Sequence, residues 1–334
     1  MDIQSLQDIL YIFLNWHPAR ITTFANLVFG VIKARTVKIK ELAVHVESKG
    51  SLHAKITKIE RLFLNQVIDF TIFGKIILKL FSSVGKFKIA IDRTNWQFGI
   101  KNLNFFVASI VRGNISIPIA WILLDKKGNS STEERKILIE KILQITPKEQ
   151  IEIILADREF VGEDWLEYLR LSSLPFAVRV KKNERITHKN GGKIHLNKFF
   201  KDMKVGEYKT AQSKIYNKKI DIKITCMQLE REQLFIASNV LIGEDALTSY
   251  KQRWTIERTF KSLKTSGFNL EDTHITDLKK LEKLFAIVSL SLAICVIDMS
   301  TVFWTKIHAI FCIFSYSTGD IPLIDEELFL RLKN

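Results

Sequence analysis

The run Ile151-Glu152-Ile153-Ile154-Leu155-Ala156 constrains this chain more than any other feature. It is too short for a typical globular helix and lacks the alternation of a strand with one wet face. A strand buried on both faces is predicted. Such a strand needs helices packed above and below it, which selects the α/β class. Asp157 follows the run directly.

Three more strands are expected upstream, at Phe87 to Ile91, Phe105 to Val111 and Ile115 to Leu124. Gly113-Asn114 supplies the turn between the last two. A helix is predicted from Thr132 to Ile145, where Ser131 and Thr132 precede Glu133-Glu134 and acidic side chains favour the positive helix N-terminus. Phe176 to Val180 is a fifth strand candidate. Three hairpin-linked strands, a helix and a doubly buried strand follow the order of a ribonuclease-H-like fold, a mixed five-stranded sheet with helices.

The residues before Lys86 read as helices, with apolar periodicity at Leu6 to Leu14 and Ile21 to Ile32. Ile39 to Glu47 and Leu52 to Leu64 are two short amphipathic stretches parted by Ser48-Lys49-Gly50, with Ser51 placed as an N-cap. This is the outline of a helix-turn-helix, and equally of an ordinary αα-hairpin. Lys55, Lys58 and Arg61 share an arc of about 120° on the second stretch at roughly 100° per residue.

Charge is concentrated elsewhere. Of a net +14 over 334 residues, the segment from Lys181 to Ile220 holds twelve Lys or Arg and three acids, a balance of +9. From Asp298 to the end, three basic and five acidic residues give −2. A focus of this kind suits a polyanion, nucleic acid first, since each neutralised phosphate releases counterions. A solvated lysine-rich face kept for solubility has the same composition. Phe199, Phe200, Tyr208 and Tyr216 are interleaved with the charge, as base-stacking groups or as strand core. Strand candidates near Glu207 to Lys214, Ile220 to Leu229 and Leu234 to Ala237, with a loop at Lys189-Asn190-Gly191-Gly192, make the segment a β-rich insertion.

Asp92 follows Ile89-Ala90-Ile91 as Asp157 follows Ile154-Leu155-Ala156. An acid at a strand end can serve a turn or a cap. In the inferred topology these two strands are neighbours, so the carboxylates meet and repel unless a cation lies between them. A third acid would complete an oxygen-ligand site for Mg²⁺. One helix is expected from Ala246 past Lys264, closed by Gly267. On it Tyr250, Arg253, Glu257 and Lys264 fall within about 60° of one another at roughly 100° per residue, with Lys261 beside them. A solvated helix with an Arg253 to Glu257 ion pair is the plain alternative. Glu159, Glu271 and Asp272 are weaker ligand candidates, and Trp96 and Trp254 read as packing near the acids, with base stacking as the alternative.

The spacing Tyr250-x2-Arg253-x3-Glu257-x6-Lys264 resembles the Tyr-Arg-Glu-Lys signature of the DDE transposases of the insertion-sequence-4 family. The similarity extends to Asp92-Arg93-Thr94-Asn95-Trp96, Ala156-Asp157-Arg158-Glu159-Phe160 and Gly267-Phe268-Asn269-Leu270-Glu271-Asp272-Thr273. The resemblance implies a catalytic and metal-binding triad of Asp92, Asp157 and Glu257 with two Mg²⁺ or Mn²⁺ ions. Tyr250, Arg253 and Lys264 become contacts to DNA phosphates. Lys261, Lys181, Lys182 and Arg185 are further DNA-binding candidates. Cleavage and strand transfer at terminal inverted repeats by a homodimer, with or without a hairpin step, would follow. An inactive DNA-binding copy acting as a repressor and a ribonuclease-H-like nuclease without strand transfer are the rival expectations.

The resemblance ends at Ile297. Relatives commonly close on a basic stretch with Phe-Arg-Tyr-Gly, where this chain has Phe314-Ser315-Tyr316-Ser317. The expected layout is a helical N-terminal DNA-binding domain at 1–84, with the helix-turn-helix at 39–64. A catalytic domain follows at 85–180 and 241–297, interrupted by a basic β-rich insertion at 181–240, and a divergent tail spans 298–334. Three cysteines without a C-x-x-C pair indicate neither a disulfide framework nor a zinc site, and the seven histidines lack ligand spacing. The apolar run Leu284 to Ile297 has fourteen residues where a bilayer needs about twenty, so it reads as a buried helix. No secretory signal is apparent, and a cytoplasmic, nucleoid-associated protein is expected.

Overall fold

A computed structural model describes residues 1–298 apart from 66–67, 82–84, 99–100, 125, 127, 188–190, 218–219 and 274. Five helices open the chain: α1 (Ile3–Phe13), α2 (Pro18–Ala34), α3 (Ile39–His45), α4 (Leu52–Asn65) and α5 (Thr71–Leu80). The central part runs β1 (Phe87–Phe98), β2 (Lys101–Arg112), β3 (Ile115–Leu124), α6 (Thr132–Ile145), β4 (Ile151–Ala156), α7 (Glu163–Leu171) and β5 (Phe176–Val180). The basic segment supplies β6 (Arg185–Thr187), β7 (Lys193–His195), α8 (Leu196–Phe199), β8 (Tyr208–Ile215), β9 (Ile220–Gln228) and β10 (Gln233–Ser238). Helices α9 (Glu244–Lys251), α10 (Thr255–Lys261) and α11 (Leu278–Asp298) complete the described chain.

Strand order in the sheet is β3-β2-β1-β4-β5-β10-β9-β8-β6-β7. The first five agree with a ribonuclease-H-like arrangement: β1 is antiparallel to β2 and parallel to β4, and β4 is parallel to β5. The expected five-stranded sheet is therefore half of a ten-stranded one. The physical cause is the edge of β5, whose backbone groups are taken up by antiparallel β10 in the register Phe235↔Val180 to Ser238↔Ala177. The β-rich segment continues the sheet instead of standing beside it.

Two boundaries also differ. Strand β1 runs on to Phe98 because β2 offers ladder partners beyond the apolar stretch, from Asp92↔Val107 to Phe98↔Lys101. Asp92 thus lies inside a strand. Helix α7 was not expected. It starts at Gly162, which makes no side-chain cap, although Glu163 and Asp164 in its first turn are a helix-start signal. The α6 boundaries are as expected, and its start is a full capping box in which Ser131 and Glu134 each bond the other's backbone N–H.

The N-terminal helices share a core with the sheet. Phe24 packs on Phe73, Phe70 on Trp121, and Trp121 on Phe285 of α11 at 5.1 Å between ring centroids. Phe105 of β2 stacks on the same Phe285 at 4.4 Å. Helix α5 approaches β3 so closely that a Cβ on Gly74 would lie 2.4 Å from the Ile119 carbonyl oxygen. Leu284 to Val288 of α11 are buried, in agreement with the predicted core helix. No helix of the described residues is long and apolar enough to cross a membrane. Lys189, Lys218, Lys219, the Trp96 side chain and the tail from 299 onward lie outside the described residues.

Candidate active site

The ladder between β1 and β4 ends at Ile91↔Ala156, which sets Asp92 and Asp157 one residue beyond the last pair on adjacent parallel strands. The helical segment after β10 crosses this edge. It is interrupted where one continuous helix was expected: α9 ends at Lys251, Gln252–Trp254 is a 3-10 turn, α10 follows, and Ser262–Ser266 is a π turn. The wheel at roughly 100° per residue holds only within a regular helix, so the tight and wide turns re-aim the side chains they carry. Gly267 ends the segment without a left-handed cap. Its constraint is steric, since a Cβ there would lie 2.4 Å from the Ser262 carbonyl oxygen.

Arg253, in the 3-10 turn, points inward and is only 3% exposed. Its Nη1 donates to Asp92 Oδ2 at 3.3 Å and its Nη2 to Glu257 Oε1 at 2.8 Å. The ion pair foreseen on a solvated helix exists, but its arginine is buried while Glu257 stays 41% exposed, and the arginine also holds a second carboxylate. Tyr250, also 3% exposed, donates its hydroxyl to Asp157 Oδ1 at 3.3 Å. All three acids of the expected triad are thereby tied, directly or through one neighbour, to the Tyr250–Glu257 turn. The guanidinium carbon lies 5.7 Å from the Tyr250 ring and 5.2 Å from the Trp254 ring. Arg253 Nε is buried with no partner among the described residues.

Electrostatics follow from this burial. Loss of solvent pushes the Asp92 carboxyl up from an ordinary 3.8 to about 7; Arg253 and the Arg93 N–H oppose the rise, and the Glu257 and Asp157 charges add to it. Burial raises the Tyr250 phenol, which stays protonated and able to donate. Burial alone would lower the Arg253 pKa, yet Tyr250, Asp92, Asp157 and Glu257 around it drive it upward. Arg253 is the cation that the meeting of like charges requires.

Lys264 lies in the π turn, donates to the Asn95 carbonyl at 3.0 Å and pairs with Glu271 at 2.7 Å. Glu271 is thus engaged by a lysine, and Asp272 pairs with Lys38 at 3.2 Å, so neither reaches the triad. Lys261 is exposed. Lys181, Lys182 and Arg185 are exposed on the β-rich segment, away from the Tyr250–Glu257 turn in sequence and held by β6 and its approach. In the helix pair α3 and α4, Lys55 donates to the Val46 carbonyl and Lys58 to the Ser48 hydroxyl, so both bind the intervening turn. Glu159, weighed as a ligand, is gripped by Arg93. Arg93, Arg135 and the inward course of Arg253 are the site features that sequence reasoning missed. Arg93 was within reach, as the residue after the first acid.

A family model for the Transposase DDE domain matches residues 89–294, which contain every residue of this cluster. The chain belongs to that family. Its members are transposase-type enzymes, and DNA is their substrate. No curated protein matches the chain. Among solved structures, endonuclease V from Bacillus subtilis is similar over 56% of this chain and 84% of that one, at 10% identity and a TM-score of 0.28. That likeness is too slight to bear on fold or chemistry.

Proposed function

We propose that this chain is a DDE transposase of the insertion-sequence-4 type that cuts DNA at the terminal inverted repeats of its element and joins the freed ends to target DNA. The observation that carries the reading is the convergence of Asp92, Asp157 and Glu257 on one helical turn through Arg253 and Tyr250. A carboxylate cluster at the edge of a parallel strand pair, beside guanidinium and phenol donors, suits phosphodiester chemistry better than any chemistry that needs a nucleophilic side chain.

The donor set fits a hard divalent cation, since three carboxylates offer oxygen without thiolate or imidazole. Asp92, displaced to about 7 by burial, is a group that a neighbouring positive charge would return to its ionised form. Among the described residues no three acidic, His or Cys side chains are close enough to hold one ion. Arg253 occupies the space between Asp92 and Glu257, and these two with Asp157 would hold the ion only once Arg253 has moved off them. When bound, Mg²⁺ or Mn²⁺, two ions in this reading, would activate the attacking oxygen and stabilise the leaving one.

The chain's own groups do the rest. The oxygen of a water or a DNA 3′-hydroxyl forms the new P–O bond as the bond to the 3′-oxygen of the cut strand breaks; the attacking oxygen's proton passes to solvent and the leaving 3′-oxygen takes one up from it. Arg253, whose buried Nε has no partner among the described residues, is suited to a forked grip on a phosphate once released from its carboxylates, whereas Lys264 and Lys261 act as point charges. The Tyr250 hydroxyl has one proton, which it gives to Asp157 in the structure and would give instead to a phosphate oxygen when contacting DNA. Lys181, Lys182 and Arg185 extend the contact along the duplex, and a homodimer would bring two element ends together.

Strand capture tests the reading. Purified protein with Mn²⁺ and labelled element ends should yield cut ends covalently joined to an added target plasmid. Cutting without joining would mark a nuclease, and binding without cutting would mark a repressor copy.

A further inference from the structure

Beside the Arg253 cluster lies a second, separate constellation that the proposed chemistry does not use. Arg93 follows Asp92 in β1, and its backbone N–H donates to Asp92 Oδ1 at 2.8 Å. Its side chain forks onto Glu159, Nε to Oε1 at 2.5 Å and Nη2 to Oε2 at 2.7 Å. Glu159 lies two residues past Asp157, in the turn closed by the Phe160 N–H on the Asp157 carbonyl. Arg93 also donates to the Gly128 carbonyl and to Asn129 Oδ1.

Arg135 of α6, 6% exposed, backs the same turn. Its guanidinium donates to the carbonyls of Glu159, Val161 and Ser130 and to the Ser130 hydroxyl. It also lies over the Phe160 ring, which stacks on Phe106, the residue paired with Arg93 across β1 and β2. Three segments that no ladder connects, the β1 residues past Ile91, the turn after β4 and the loop before α6, are thus bolted together by two arginines with Glu159 between them. The backbone ladder of β1 and β4 stops at Ile91↔Ala156, and beyond it the fork of Arg93 onto Glu159 spans the two segments where the acids stand.

We propose that Glu159, forked by Arg93 and backed by Arg135, is a positioning residue that fixes the separation of the Asp92 and Asp157 carboxylates and so sets the affinity of the site for a divalent cation. Mutual repulsion of two carboxylates tends to splay the strand ends, and a bidentate bond between their neighbouring residues resists that motion in a defined direction. Outer partners of this kind commonly control metal affinity by about 10–100-fold. The inference rests on Asp92 and Asp157 being ligands.

The experiment titrates Mn²⁺ into the full chain and reads the unbound ion by electron paramagnetic resonance, for the natural sequence and for Glu159→Gln, Arg93→Lys and Asp92→Asn. Affinity for element-end DNA in EDTA is measured alongside. Glu159→Gln is expected to weaken Mn²⁺ binding by about 10–100-fold, and Arg93→Lys, which keeps the charge and loses the fork, by less. DNA affinity in EDTA should be unchanged in both. Unweakened Mn²⁺ binding by Glu159→Gln, together with weak binding by Asp92→Asn, would overturn the positioning role alone. Unweakened binding by Asp92→Asn would overturn the ligand reading beneath it. A loss of DNA affinity in EDTA matching the loss of Mn²⁺ affinity would reduce the clamp to a fold-stabilising contact and overturn the role as well. Arg93→Lys answers the same questions should Glu159→Gln fail to fold.

Discussion

Arg253 decides the electrostatics of this molecule. A guanidinium that is 3% exposed and bonded to Asp92 and Glu257 sits where repulsion between carboxylates is greatest. Even so, burial holds Asp92 at about 7 against an ordinary 3.8. A carboxyl whose pKa is raised on folding binds its proton more tightly in the folded chain, so it lowers stability as pH climbs from about 4 to about 7. Asp92→Asn removes that liability. The variant should melt at the same temperature as the natural chain near pH 4 and higher at pH 8, by no more than roughly 4 kcal/mol of stability, since each tenfold change in proton affinity is worth about 1.4 kcal/mol. A melting difference that ignores pH would show that Asp92 titrates normally. The sequence motif identified which residues gather here, because their types and spacing are local. It left the direction of Arg253 open, because that depends on a 3-10 turn formed only when the helical segment packs across the sheet edge.

At the scale of elements, segments with a strong signal of their own were legible, whereas those formed only by pairing were not. The Ile151–Ala156 strand and the α6 helix carry their signals within themselves, in apolar continuity and in a capping box. Strands β6 and β7 are three residues each and exist through pairing with each other and with β8, which no local pattern announces. The aromatic residues of the basic segment divide by burial. Phe200 is 2% exposed and belongs to the core, whereas Phe199 and Tyr208 face solvent. Its lysines 181, 182, 198 and 204 are also exposed. Replacing these four with Gln should flatten the salt dependence of DNA binding, the log–log slope falling by about 0.9 for each phosphate left unneutralised. An unchanged slope would assign that surface to solubility.

The described residues are organised around one sheet whose ten strands carry the candidate site at the junction of β1, β4 and the helical segment after β10. The N-terminal helices are joined to that body through Phe24, Phe73, Phe70, Trp121 and Phe285, and Lys38 reaches Asp272 just beyond the helical segment that carries Tyr250 to Lys264. Class and the order of the first five strands were legible because burial on both faces leaves few architectures, whereas the continuation of the sheet from β5 into β10 was not. The shared core was not, since apolar faces of separate segments do not reveal which of them will meet. The central claim is that Asp92, Asp157 and Glu257 form one DNA-cutting centre. Its most direct test compares the natural chain with Asp92→Asn on DNA bearing the element's inverted repeats, with Mg²⁺ or Mn²⁺ present. Cleavage by the variant should fall below detection while its affinity for the same DNA stays within about twofold, less than 0.5 kcal/mol. Cleavage at the natural rate by Asp92→Asn would contradict the account.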